Sequence, residues 1–227
     1  MQVKVEEKVL NENQRLAAEL RRRFRDHHVF CINLISAPGS GKTSLLERTL
    51  AALPDSTRIA TLTGDIQTEN DAKRLARAGF PVKQIVTGGT CHLDARMITK
   101  AIADWDLDQI DTLVIENVGN LVCPSSYDLG EHAKVVMLSV TEGEDKPLKY
   151  PSIFVKAELC VINKMDLLPY VSFDLEQAKA NARRVHPDMD IIETSCTTES
   201  GLRQWLDWLE RRRHRALGLV DAPAVSA

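Results

Sequence analysis

Val29-Phe-Cys-Ile-Asn-Leu-Ile35-Ser36-Ala-Pro-Gly39-Ser40-Gly41-Lys42-Thr43-Ser44 is the stretch that decides the fold. A buried-strand pattern runs straight into a glycine-rich loop, and a helix pattern, Ser44-Leu-Leu-Glu-Arg-Thr-Leu50, follows without a break. Strand, loop and helix in this order are the context a P-loop requires. Gly39 and Gly41 let the backbone curl so that its N–H groups face a phosphate, and the helix adds its positive end. Lys42 is expected to reach the β- and γ-phosphates and to serve catalysis, while Thr43 is expected to ligate Mg²⁺. Ser40 and Ser44 join the same nucleotide-binding stretch. One position departs from GxxxxGK[ST], since Ser36 stands where that pattern has glycine.

Outward from the loop, short apolar runs alternate with helix-patterned segments. The apolar runs are 29–35, 58–62, 82–86, 112–115, 134–140, 159–162 and 190–192, and helix patterns occupy 43–53, 70–78, 92–103, 175–185 and 199–212. Near-continuous apolar strands separated by helices predict an α/β fold, a P-loop NTPase with a mostly parallel central sheet and helices on both faces. Ahead of it, Val9, Leu16, Leu20 and Phe24 fall at helical spacing within residues 4–25 and predict an amphipathic helix. We read residues 1–27 as an N-terminal helical extension, 28–215 as the P-loop domain and 216–227 as a flexible tail. The Arg21-Arg22-Arg23 run reads as a solvated helix end beside the negative dipole terminus, with a partner-docking patch as the alternative.

The 227 residues suit one large domain or one domain with extensions, and 44% hydrophobic with 27% charged residues is ordinary globular composition. A net charge of −3 argues against a dedicated nucleic-acid binder. No apolar leader or membrane-length window is present, so a cytoplasmic protein without a membrane partner is expected. The 5 cysteines form an odd set without a CxxC pair, which argues against a disulfide framework. Cys31 and Cys160 lie inside apolar runs and read as packing residues.

Glu158-Leu-Cys-Val-Ile-Asn163-Lys164-Met165-Asp166 is a second strand that ends in a polar tetrad. The Asp166 carboxylate can accept from guanine N1–H and the 2-amino group, Lys164 can cover the ring, and Asn163 can tie loops together. Adenine lacks those donors, and a desolvated unpaired carboxylate is costly, so GTP is favoured over ATP. Thr194-Ser195-Cys196 fits a loop that supports the guanine through backbone N–H groups, and Trp205, Trp208 and Leu209 read as core anchors.

Acidic residues gather where an α/β sheet presents its ligand site. Asp65, in Thr63-Gly-Asp-Ile-Gln-Thr-Glu-Asn-Asp71, is positioned to hold Mg²⁺ or to orient the attacking water, and Asp71 is a second candidate. Glu116 takes the place of the aspartate common at the end of this strand in nucleotide hydrolases, as a further catalytic and Mg²⁺ candidate. Gly119 could give its N–H to the γ-phosphate. A third group is Cys91-His92, ahead of a helix pattern, and Cys123, four residues after Gly119. A helix N-terminus is expected to shift Cys91 towards thiolate. Two sulfurs and one imidazole suit Zn²⁺, Ni²⁺ or Cu, and the vacant position implies water, a fourth group or a second subunit.

The segments Ser36–Thr43, Gly64–Ala72 (GDIQTENDA), Gly88–Ala95 (GGTCHLDA), Ile115–Glu131 (IENVGNLVCPSSYDLGE) and Asn163–Asp166 (NKMD) together resemble the HypB family of hydrogenase nickel-incorporation GTPases, of the SIMIBI P-loop class. The resemblance spans about residues 28–212 and implies a GTPase that helps deliver Ni²⁺ to the large subunit of [NiFe]-hydrogenase. It implies GTP-linked homodimerisation, hydrogenase-maturation partner proteins, GTP/GDP and Mg²⁺, and Ni²⁺ or Zn²⁺ on Cys91, His92 and Cys123. An N-terminal CxxCGC site or histidine-rich stretch, present in some relatives, does not occur here, so nickel storage is not expected. Urease-maturation GTPases are similar in their nucleotide motifs but carry a Cys-Pro-His motif, and this chain has Cys123-Pro124-Ser125. The remaining alternative is a GTP-binding metal sensor or scaffold without useful turnover.

Overall fold

The computed structural model describes residues 2–54, 56–65, 75–76 and 81–219. Seven strands form one sheet: β1 Phe30–Ser36, β2 Ile59–Asp65, β3 Val82–Val86, β4 Thr112–Glu116, β5 Ala133–Ser139, β6 Leu159–Asn163 and β7 Asp190–Glu193. Their order is β3-β2-β4-β1-β5-β6-β7 and every pairing is parallel. All carboxyl ends therefore open on one edge. The helices are α1 Gln2–Asp26, α2 Lys42–Ala52, α3 Ala95–Ala101, α4 Lys146–Lys149, α5 Pro151–Lys156, α6 Leu175–Val185 and α7 Leu202–Leu217.

The strands read as continuous apolar runs because both faces are covered. Phe30, Ile32 and Leu34 point to one face and pack with Leu45, Leu46 and Leu50 of α2 and with Trp205 and Trp208 of α7. Trp205 is fully buried and donates its indole N–H to Thr49 Oγ1 at 2.8 Å, which fits the anchor role expected of it. On the opposite face Cys31, Leu113 and Ile115 pack with Ala17, Leu20 and Phe24 of α1 and with Ile98 of α3. Further along that face Ile35, Val136, Cys160 and Ile162 meet Ile153 and Phe154 of α5 and Ala178 and Ala182 of α6. Burial pushes the Cys160 thiol up to about 12 and raises the Cys31 thiol further, as packing cysteines should behave.

Several boundaries and contacts differ from the sequence reading. Phe24 and Leu20 of the predicted α1 stripe are buried, but Val9 is 51% exposed and lines an open cavity beside Cys91, His92 and Cys123. Arg21 is not a solvated helix end: both Asp128 carboxylate oxygens accept from its Nη2, at 2.7 and 2.8 Å. The pattern at 92–103 yields a helix only over 95–101, because Asp94 caps it by accepting from the Met97 N–H. Helix α7 runs through Leu217 and stops at Gly218, where φ is 64°. Of the pattern at 70–78, only Leu75 and Ala76 are described, and both are helical. No described helix is long and apolar enough to cross a membrane.

Candidate nucleotide and metal site

The loop after β1 adopts the curl that its glycines permit. Gly39 and Gly41 have φ of 77° and 102°, a region L-residues rarely enter. Gly41 has a second constraint, since a Cβ there would lie 2.4 Å from Asn163 Nδ2. That amide donates to Ser40 O at 2.9 Å, so Asn163 does tie the loop after β6 to the P-loop. Lys42 and Thr43 open α2 and are both 8% exposed. Lys42 Nζ donates to Ser36 Oγ at 2.9 Å, which gives the departure from the glycine pattern a use: the hydroxyl holds the lysine over the loop.

Thr43 Oγ1 donates to Glu116 Oε1 at 2.7 Å, and Glu116 is 4% exposed at the end of β4. Two buried hard oxygen donors side by side beside a phosphate loop fit Mg²⁺. Asp65 ends β2 and pairs in register with Val86; its side chain and all of Asp71 lie outside the described residues. Gly119 sits against the P-loop, where an added Cβ would meet Pro38 at 3.0 Å. Ser44 is half-buried one residue into α2 beyond Thr43.

At the other end of the edge, Ser195 Oγ donates to Asp166 Oδ1 at 2.6 Å and Thr194 Oγ1 donates to Asn163 Oδ1 at 3.1 Å, so the loops after β6 and β7 form one platform. Lys164 is held at φ 64°, a conformation non-glycine residues keep only where their surroundings demand it. Cys196 lies beside Asn163 Oδ1 at 3.5 Å, and burial raises its thiol. Arg48 of α2 donates to Cys196 O at 2.9 Å and to Glu199 at 3.0 Å, bracing the same loop from the P-loop helix.

Cys91, His92 and Cys123 converge, with their ligand atoms all within 4.8 Å of one another. The Sγ atoms of Cys91 and Cys123 are 2.7 Å apart and the His92 Nδ1 lies 3.9 Å from the Cys91 sulfur. These soft and borderline donors fit Zn²⁺ or Ni²⁺, and three of them leave a coordination position open. The Cys91 thiolate expectation is overturned: α3 begins at Ala95 behind the Asp94 cap, and the adjoining Cys123 thiol raises the Cys91 thiol above its ordinary value. Burial lowers His92, keeping a neutral nitrogen available to a metal. The triad lines a cavity of about 440 Å³ whose other walls include Val9, Leu10 and Tyr127.

Sequence reasoning overlooked five side chains here. The Tyr127 ring stacks on His92 with centroids 3.8 Å apart and fixes the imidazole. Asn120 Nδ2 donates to Cys91 O at 3.2 Å, while its Oδ1 accepts from Val122 N at 2.8 Å, so it holds both cysteine loops. Asn117, between β4 and Gly119, is 1% exposed. Glu142 accepts from Ser40 Oγ at 2.7 Å and from Ser139 N at 3.1 Å, a carboxylate built against the P-loop. Thr63 is 1% exposed with a hydroxyl that has no partner among the described residues, and its register partner is Glu116. Asn117, Asn120 and Tyr127 lie within the 115–131 motif and Thr63 opens the 63–71 stretch, so their motifs were visible while their contacts were not; nothing local marks Glu142.

Together, a doubly covered parallel sheet, a phosphate loop and the joined loops after β6 and β7 define a P-loop nucleotide-binding domain. Residues 30–193 match the family described as CobW/HypB/UreG, nucleotide-binding domain. The chain is 54% identical over 211 residues to hydrogenase maturation factor HypB of Escherichia coli (strain K12), covering 93% of this chain and 73% of that one. A crystal structure of HypB from Archaeoglobus fulgidus superposes with a TM-score of 0.84 at 42% identity, covering 89% of this chain and 99% of that chain. HypB from Helicobacter pylori in complex with nickel superposes with a TM-score of 0.85 at 36% identity, covering 94% and 99%. The chain belongs to the HypB family.

Proposed function

We propose that this chain is a GTP-hydrolysing metallochaperone that delivers nickel to the large subunit of [NiFe]-hydrogenase during its maturation, with GTP-dependent dimerisation linked to metal binding. The observation that carries this reading is one short segment. Gly119 lies against Pro38 of the P-loop, and Cys123, four residues later, touches Cys91. A loop that rearranges around a γ-phosphate then also moves a metal ligand, and metal geometry tolerates little displacement. Relatives named as hydrogenase maturation factors, and a HypB crystallised in complex with nickel, support the cargo.

In this reading the P-loop amides and Lys42 bind the phosphates, and Asp166 with Ser195 and Cys196 reads guanine. Thr43, Glu116 and Asp65 would hold Mg²⁺, which when bound neutralises the charge that develops on the phosphates. Asp65 or Asp71 orients water, and Cys91, His92 and Cys123 carry Ni²⁺ or Zn²⁺. The proposed setting is the cytoplasm, with hydrogenase-maturation proteins as partners. The test is a titration of Ni²⁺ affinity and molecular mass with no nucleotide, with GDP and with a non-hydrolysable GTP analogue. A change of metal affinity and mass on adding the analogue is expected; equal affinity at equal mass in all three states would leave two unlinked sites and defeat the reading.

A further inference from the structure

We propose that Asn117 is the positioning residue that makes the phosphate-side loop and the metal-side loop move together, an inference that rests on the linkage proposed above. Asn117 follows the last residue of β4 and is 1% exposed. Its side-chain oxygen accepts from Val118 N at 2.9 Å and from Leu93 N at 3.4 Å. Val118 precedes Gly119, which abuts Pro38, and Leu93 follows His92. One amide oxygen thus holds the backbone next to the phosphate-facing glycine and the backbone next to a metal ligand.

The other end of the side chain is anchored in the sheet. Asn117 Nδ2 donates to Asn33 Oδ1 at 3.1 Å, and Asn33 lies fully buried on β1, the strand that becomes the P-loop. The Asn117 backbone N–H also donates to Leu34 O at 3.0 Å. Leu93 is itself fully buried against Gly64, where an added Cβ would lie 2.9 Å from its side chain, one residue before Asp65. Buried amide hydrogens are expensive to strand without an acceptor. A displacement of residues 117–119 therefore carries the Leu93 peptide with it, and a displacement of His92 by metal acts back along the same bond. Coupling needs such an element, held by both sites at once. It is separate from the covalent path of Gly119 to Cys123, because it reaches the Cys91-His92 side of the triad.

The test compares wild type with Asn117→Ala in the GDP and GTP-analogue states, measuring Ni²⁺ affinity by competition with a chromophoric chelator. In wild type the two states should differ by about fivefold or more, the lower end of ordinary allosteric coupling. In Asn117→Ala the ratio should fall below about twofold, a collapse of that same coupling, while Ni²⁺ affinity with GDP and analogue affinity without metal stay close to wild type. An unchanged ratio in the variant overturns the inference alone; a ratio of one in wild type removes the linkage and this inference with it. Asn117→Asp keeps the oxygen that holds Leu93 and Val118 but loses the Nδ2 donation to Asn33, so its ratio should fall between those of wild type and Asn117→Ala; equal loss in both variants assigns the effect to the Asn33 anchor and overturns the role given to the shared oxygen. A measurement on wild type stands even if Asn117→Ala does not fold. Analogue binding should change hydrogen-exchange protection at Leu93 N–H and Val118 N–H together, and a change confined to Val118 overturns the proposal.

Discussion

Asp166 is held by Ser195, whose hydroxyl donates to one carboxylate oxygen, and in the proposed reading the carboxylate of Asp166 accepts from guanine. Replacing it with Asn exchanges an acceptor for a donor, and GTP binding should weaken by about 1–3 kcal/mol while xanthosine triphosphate gains. Competition among GTP, ATP and xanthosine triphosphate checks this, and undiminished GTP preference in Asp166→Asn would remove the residue from the platform. Gly41 carries a different constraint. At φ 102° with Asn163 Nδ2 2.4 Å from where a Cβ would stand, Gly41→Ala must displace the tie between the two loops. Nucleotide affinity should drop at least tenfold, on the order of 1.4 kcal/mol, with a lower Tm, as read by a fluorescent GDP analogue and thermal unfolding.

Helix α1 was legible as an amphipathic element, yet its place in the molecule was not. Its Phe24 is wholly buried under β1, and Arg21 is fixed to Asp128 from the loop that ends in β5. Asn13 adds two more ties, accepting from Ala95 N at 2.8 Å and donating to Asp128 O at 2.9 Å. Phe24→Ala should destabilise by about 3–5 kcal/mol, as large-to-small changes in a closed core do. Urea unfolding would measure it, and a loss below about 1 kcal/mol would mean that α1 is an appendage rather than a layer of the core. Periodicity reveals which residues of a helix share a face, but not which surface will receive that face.

For the whole molecule, pH dependence follows from His132, which sits where β5 begins and accepts from Cys31 N at 3.1 Å through Nδ1. Burial, helped by Arg21 and Arg25, lowers it from 6.5 to about 4. The unfolded chain therefore takes up a proton first as the pH falls, so stability declines between about pH 6.5 and 4 and levels off below. With its partial exposure allowed for, the loss should be about 1–2 kcal/mol. Urea titrations at pH 7 and 5 on wild type and His132→Gln should show a smaller difference in the variant. Intrinsic GTP hydrolysis should be slow, because the described arginines nearest the site, such as Arg48, brace loops. Lys42→Ala should abolish turnover. A fast rate independent of protein concentration would contradict both a site without a catalytic arginine among the described residues and the proposed dimerisation.

The sheet, the P-loop, the joining of loops by Asn163 and the membership of Cys91, His92 and Cys123 in a common cluster were all legible in the order of residues. Each depends on spacing along one strand, one turn or one recurrent motif. The tertiary structure alone decided that Asn163 bridges to Ser40, that Glu142 stands against the P-loop and that Tyr127 stacks on His92. Those contacts join residues whose proximity is set by strand order and helix docking, and a linear pattern carries no record of either. The Cys91 thiol moved opposite to expectation for the same reason: its nearest neighbour in space is Cys123, 32 residues away, and not the helix that follows it.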